Sequence, residues 1–362
     1  MRKVAVQNLV SGMKVGQPVL GPHMEPYLQA GVVLNDRIIS RLVILGIPSV
    51  VIDDGFLNDT DIPSAVSVET RAEAANRVRE LFDAPDYDRP VPTAPLGATV
   101  NNIIDEILSN ASGTSSALNI MDIRAEDEYL YYHSVNVCVL SVLTGITLGY
   151  KRRKLFELGM GALFHDIGKR RIPSSILNKP GPLTKEEYAI VKQHTVFAKE
   201  LLADNPSAAE IAYSHHERCN GEGYPLGLKA PHISPMAQIA GMADIFDALT
   251  ADRVYRKGVP AHQAFEMLAA AGDYWFDYDL LLAFLYNIPA YPSGSIVELS
   301  CGEIGVVIGT PKGHSAFPEV KIILDPDKKR RQKPVILSTL KHNIAVLRLL
   351  EQEEIGRLGL MP

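Results

Sequence analysis

A histidine and an aspartate stand side by side at His165 and Asp166, in the stretch HDIGK. An ionised carboxylate at the end of an apolar helical run is costly to bury unless something pairs with it. Other residues suggest the partner: His133 in YYHSVNV, His194 in KQHT, His215 and His216 in SHHERC, and Asp244 in MADIFDAL. Imidazole mixed with carboxylate suits zinc, iron, manganese, nickel or cobalt, whereas magnesium and calcium prefer shells of oxygen alone. Five histidines and two aspartates are too many for one tetrahedral ion. They suit two ions sharing one aspartate, and Asp166 is the expected bridge. Two cations about 3.5–4 Å apart can hold a hydroxide between them and stabilise the entering and leaving oxygens of phosphoester hydrolysis.

A single histidine on an apolar helix face is more often a hydrogen-bonded core residue than a ligand. Adjacent His-Asp and His-His pairs, together with Asp244, make that explanation unattractive for all seven. His23, His232, His262, His314 and His342 lack such company and are expected to be structural or exposed. Lys169, three residues past Asp166, and Arg253 and Arg256, just past the run that carries Asp244, could hold phosphate oxygens. For the two arginines alone, a solvated helix end favoured by the dipole is the simpler reading. The clusters KRRK at 151 to 154 and KKRR at 328 to 331 are expected on exposed faces.

Helix-start signals place these residues. Thr184 with Glu187 forms a capping box ahead of one expected helix, KEEYAIVKQHTVFAKELL, and Ser207 with Glu210 does so ahead of AAEIAYSHH. Ser234 followed by Pro235 opens PMAQIAGMADIFDALT. His194, His215 and Asp244 are therefore expected within helices, at the margins of apolar faces.

Around these lie a small α+β domain over 1–62, a helix and proline-rich linker over 63–98, a helical domain over 99–288, a small β-domain over 289–345 and a tail over 346–362. The chain of 362 residues is 46% hydrophobic and 22% charged, ordinary for a globular protein. Its net charge of −6 argues against binding a nucleic-acid polymer, which needs a basic surface. No secretory signal is evident, and VNVCVLSVLTGITLGY is expected to be a core helix too short and too interrupted to span a bilayer. Cys138, Cys219 and Cys301 are far apart and odd in number, which fits free thiols and a cytoplasmic location.

HDIGKRRIP, ILNKPGPLT, HHERCNGEGYPLGL and ADIFDALTADRVYR, in that order over roughly residues 125 to 285, resemble the HD-GYP domain, a subgroup of the HD phosphohydrolases. The resemblance implies a mainly helical HD-type bundle that binds two, sometimes three, metals, often iron or manganese. It implies a phosphodiesterase that hydrolyses cyclic di-GMP to linear pGpG, with further cleavage to GMP open. Carried over, His133, His165, Asp166 and Asp244 would hold one ion and Asp166, His194, His215 and His216 the other. Lys169, Arg253 and Arg256 would contact substrate phosphates, and Gly223, Tyr224 and Pro225 would serve substrate or a signalling partner, unless they form only a tight turn. Some relatives carry a glutamate for a third metal where this chain has Tyr129, which favours two. Cys219 and Asn220 stand where the family often has a larger apolar residue and an aspartate. The rival readings are a hydrolase of another cyclic dinucleotide, such as cyclic GMP-AMP, and a cyclic di-GMP sensor without turnover. The oligomeric state and the role of the β-domain are not legible.

Overall fold

The computed structural model describes residues 2–21, 25–47, 49–57, 64–111, 129–251 and 258–360. Near the N-terminus, β1 (Arg2–Ala5), β2 (Lys14–Val15) and β5 (Ser49–Asp53) form an antiparallel sheet in the order β1-β5-β2, beside a two-stranded pair of β3 (Val19–Leu20) and β4 (Pro26–Leu28). Helix α1 (Asp36–Ile44) starts where the Asn35 side chain accepts from the Ile38 amide. Its Leu42 joins Val4, Met13, Val50 and Ile52 in a separate small core.

Next come α2 (Val68–Phe82), capped by Ser67, then α3 (Gly97–Ala111), α4 (Tyr129–Thr147) and α5 (Arg152–Leu163). The segment expected as a linker does more than connect. Ala72, Val78 and Phe82 of α2, and Val91 and Leu96 beyond it, enter the same apolar core as the helices that follow. Helix α4 is the expected core helix. Its window Leu130–Thr147 is, contrary to expectation, long and apolar enough by composition to cross a membrane, yet 78% of it is buried in the protein. Its polar Thr144 is satisfied by donating to the Leu140 carbonyl at 2.8 Å.

The remaining helices are α6 (Ser174–Leu177), α7 (Lys185–Lys192), α8 (His194–Leu201), α9 (Pro206–Ser214), α10 (Pro235–Thr250), α11 (Ala261–Ala269) and α12 (Tyr278–Leu285). The capping box of Thr184 and Glu187 is present. The single helix expected over 185–202 is two: α7 stops at Lys192 and α8 starts at His194. The cap expected at Ser207 is instead Asn205, whose side chain accepts from Ala208, because Pro206 takes the first helical position. Pro235 likewise opens α10, although Ser234 makes no capping bond.

A five-stranded antiparallel sheet follows, in the order β10-β6-β7-β8-β9, from β6 (Ile296–Leu299), β7 (Ile304–Gly309), β8 (Glu319–Leu324), β9 (Arg330–Ser338) and β10 (Val346–Leu349). A single turn, α13 (Thr339–His342), joins β9 to β10. The last residues are not a tail: they supply β10 and α14 (Gln352–Arg357), and Leu350, Ile355 and Leu360 are buried with Leu57. The clusters at 151–154 and 328–331 are indeed on the surface, paired as Arg153 with Glu157 and Lys328 with Glu298.

Candidate metal centre

Few of the expected ligands lie in the body of a helix. His133 is on α4 and Asp244 on α10, two helices that pack together. His165 and Asp166 follow the end of α5 and lead into a 3-10 turn, Ile167–Arg171. His194 opens α8, and His215 and His216 follow the last residue of α9. Helix ends suit this task because their last carbonyls, no longer filled by the amide four residues on, have room to accept from an imidazole.

All seven converge. Three groups, His133–His165–Asp244, His165–Asp166–His215 and His194–His215–His216, each have potential ligand atoms within 4.8 Å of one another. Asp166 lies between two sides: its Oδ2 is 3.3 Å from His165 Nε2 and 3.8 Å from His133 Nε2, and its Oδ1 is 3.4 Å from His194 Nε2. Asp244 Oδ1 is 3.1 Å from His133 Nε2, while its Oδ2 is 3.8 Å from His216 Nδ1.

The hydrogen bonds fix which nitrogen carries the proton. Nδ1 of His165 is 2.8 Å from the Ala162 carbonyl, that of His194 is 2.7 Å from Val191, and that of His215 is 2.9 Å from Ala212. A carbonyl only accepts, so each Nδ1 donates, and Nε2 is the nitrogen left to face the centre. Burial holds the three second-side imidazoles neutral: His194 is pushed down to about 4, His216 to about 3, and His215 well below its ordinary range. His165 Nε2, His194 Nε2, His215 Nε2 and Asp166 Oδ1 are buried without any hydrogen-bond partner. So many bare acceptors facing one point would be expensive unless a cation meets them. The donor set therefore fits divalent metal.

His133 differs. Burial would lower its pKa, but the carboxylates of Asp244 and Asp247 more than offset this and raise it to about 9. Burial also opposes ionisation of Asp166, yet Lys169 and the neighbouring imidazoles hold it well below the usual carboxylate range. Lys169 Nζ hydrogen-bonds Asp166 Oδ2 at the rim, with 25% of its side chain exposed. Arg253 and Arg256 lie outside the described residues, as does His23. His232, His314 and His342 are exposed, and His262 stacks on Tyr291.

The Gly-Tyr-Pro loop folds back onto the site rather than forming a free turn. The Tyr224 amide donates to the His216 carbonyl at 3.2 Å, and its ring lies 4.6 Å from the His216 ring. Gly223 is there because a Cβ would fall 2.4–2.6 Å from the backbone of residues 216–218. Pro225 follows through a cis peptide bond. Buried Glu217 accepts from the amides of Leu226 and Leu228 at 2.7 and 2.8 Å, pinning the loop's far side. Asn220 accepts from the Glu222 amide at 3.0 Å, the turn-forming bond that an aspartate would also make.

Sequence reasoning missed Asp247, Asn136 and Glu217. Asp247 and Asn136 each lie three residues past a proposed ligand, Asp244 and His133, so helical spacing alone placed them on the same faces. Glu217 follows the histidine pair directly.

Residues 108–280 match the HD domain family. The chain is similar to a cyclic di-GMP phosphodiesterase of Pseudomonas aeruginosa, 32% identical over 75% of this chain and 65% of the relative. It is also similar to the cyclic di-GMP phosphodiesterase PdeB of Borreliella burgdorferi, 29% identical over 63% of this chain and 61% of the relative. A 3'3'-cGAMP-specific phosphodiesterase of Vibrio cholerae is 36% identical over 40% of this chain and 32% of its own length. The chain thus spans less than two thirds of the length of these curated relatives. With this match laid over a convergent cluster of histidines and aspartates, residues 108–280 are an HD domain.

Proposed function

We propose that the protein is a metal-dependent phosphodiesterase of a cyclic dinucleotide, with cyclic di-GMP as substrate, pGpG as first product and GMP as a further one. The observation that carries this reading is the set of buried, partnerless acceptor atoms on His165, Asp166, His194 and His215, gathered at one point. The named activities of the relatives support the substrate class.

Two divalent ions, iron or manganese, would be held by His133, His165, Asp166 and Asp244 on one side and by Asp166, His194, His215 and His216 on the other. When bound, such a pair supplies Lewis acidity toward the phosphoryl oxygens and activates water at neutral pH. The protein's own groups do the rest. Asp166 Oδ2 lies beside His165 and its Oδ1 beside His194, so Asp166 would belong to both ligand sets. Lys169 keeps a cationic head at the rim, where it can hold a phosphate oxygen while steadying Asp166. Arg253 and Arg256 are assigned to the second phosphate on the chemistry of their guanidinium groups. Tyr224 covers His216, and burial raises its phenol well above the ordinary value, so the group stays protonated and donates rather than abstracts. The outer face of the same loop is assigned to a signalling partner. Three free cysteines support a reducing, cytoplasmic setting.

Purification without oxygen, metal analysis and chromatography of cyclic di-GMP, beside an Asp166→Ala variant, test the reading. Two equivalents of metal and turnover that the variant lacks are expected. Metal-replete protein that binds the nucleotide but forms no product would instead establish a sensor. One relative's specificity for 3'3'-cGAMP favours including that substrate, and faster turnover of it would move the assignment to the mixed dinucleotide.

A further inference from the structure

Among the ion-facing imidazoles with a hydrogen-bonded Nδ1, only that of His133 is turned by a side chain. Its Nδ1 is 2.7 Å from Asp247 Oδ2, Asp247 Oδ1 accepts from Asn136 Nδ2 at 2.6 Å, and Asn136 Oδ1 accepts from Arg71 Nη1 at 2.6 Å. Arg71 is 2% exposed and stands on α2, outside the residues that match the HD domain. We propose that Arg71 is a positioning residue for the metal centre, acting through Asn136 and Asp247 on His133. This rests on the two-metal reading above.

The argument is one of direction. A guanidinium has donors and no acceptor, so Asn136 must offer it the carbonyl end of its amide. The NH2 end is then obliged to face Asp247. Asp247 gains a donor on one oxygen and keeps the other for His133 Nδ1, which leaves His133 Nε2 aimed at Asp244 and Asp166. Without the cation the carbonyl end of the amide loses its buried donor, and the Asn136 side chain is held only through its NH2 bond to Asp247. Groups behind a metal ligand typically change metal affinity about 10–100-fold.

The other end of the same segment braces Asp166. Arg170 donates to the carbonyls of Ala84 and Asp86, and Arg171 to those of Tyr87 and Asp88, at 2.8–3.3 Å. These carbonyls follow the C-terminus of α2, and the two arginines end the 3-10 turn that Asp166 begins. One stretch of chain ahead of the HD domain thus supports both sides of the centre.

The test is an anaerobic cobalt(II) titration of the full chain against a competing chelator, read by visible absorption. Wild type is expected to take two ions. Arg71→Gln is expected to weaken one of them roughly tenfold and leave the other unchanged. Arg71→Lys, which keeps a donor, should recover most of the loss. Val78→Ala, on the same helix but outside the relay, should lower the melting temperature and leave both affinities alone. Should the glutamine variant not fold, Asn136→Asp carries the test, with the same ion weakened by two facing carboxylates. Unchanged affinities in Arg71→Gln, or a loss on both ions that Val78→Ala reproduces, would overturn the relay while the metal reading stands. A wild-type protein that takes up no cobalt would overturn both.

Discussion

His194 and His133 both aim Nε2 into the centre, but His194 is turned by a carbonyl three residues earlier in the chain, and His133 by a carboxylate 114 residues away. His165 and His215 follow the first pattern. The local pattern costs no extra residue, since a helix end exposes carbonyls in any case, and no side-chain substitution removes it. The distant one depends on a side chain that must itself be held. It also alters the charge: the backbone-turned His194 and His215 are kept neutral by burial, whereas His133 lies between two carboxylates and keeps its proton to about 9.

The contrast can be broken outright at Asp166, which serves both sides. Asp166→Asn is expected to abolish retention of both ions and to cut turnover by roughly a thousandfold or more, the several kcal/mol that metal assistance provides. Metal analysis and nucleotide chromatography read the result. Asp247→Asn should sharpen the contrast, lowering affinity for one ion by about 10–100-fold while the other stays put. In cobalt titrations, its equal effect on both ions would erase the distinction.

The metal-free protein should show the two sides through opposite pH slopes. His194 sits near 4 when folded and near its ordinary 6.5 when unfolded, so the unfolded chain binds more protons in that window and stability falls as pH drops from 6.5 toward 4. His133 is raised, so its contribution is full below 6.5 and is lost as pH rises toward 9. Urea midpoints of chelator-treated protein at pH 5, 6.5 and 8.5 should therefore be highest in the middle.

Gly223→Ala forces a Cβ onto backbone and should cost about 1–3 kcal/mol, with Tyr224 displaced from His216. Its urea midpoint measures the cost, and the fluorescence of Trp275, on whose ring Arg218 stacks at 3.9 Å, reports the local displacement. The smallest effect belongs to Asn220→Asp, which keeps the acceptor for the Glu222 amide but sets a second carboxylate beside Glu222. A change below about 1 kcal/mol is expected.

The cluster of histidines and aspartates was legible because these residues are uncommon in apolar helical stretches, and their company could be seen without a fold. The break at Gln193 was not, since the apolar spacing runs on through it and only the turn that swings His194 inward shows it. Asn136 read as an interruption in an apolar window, whereas it is a buried link between two charged groups. Arg71 could not be read at all: on a helix of mixed polarity it resembles any exposed cation, and its burial depends on α4 lying against α2. The β-rich end was legible as strands, but the pairing of β10 with β6 joins residues too far apart for local pattern to reveal.

Phe56 and Leu57, just after β5, lie against the β-sheet domain at the opposite end of the sequence: Leu57 is buried among Ile296, Ile304 and Leu350, and Lys321 donates to the Phe56 carbonyl at 2.8 Å. Arg2 reaches both Asp54 and Gln352. The first and last domains are thus in direct contact, each restraining the other's swing. Shortening the protein from either side would loosen the opposite one, so a truncated form would report on a released neighbour as much as on the piece removed.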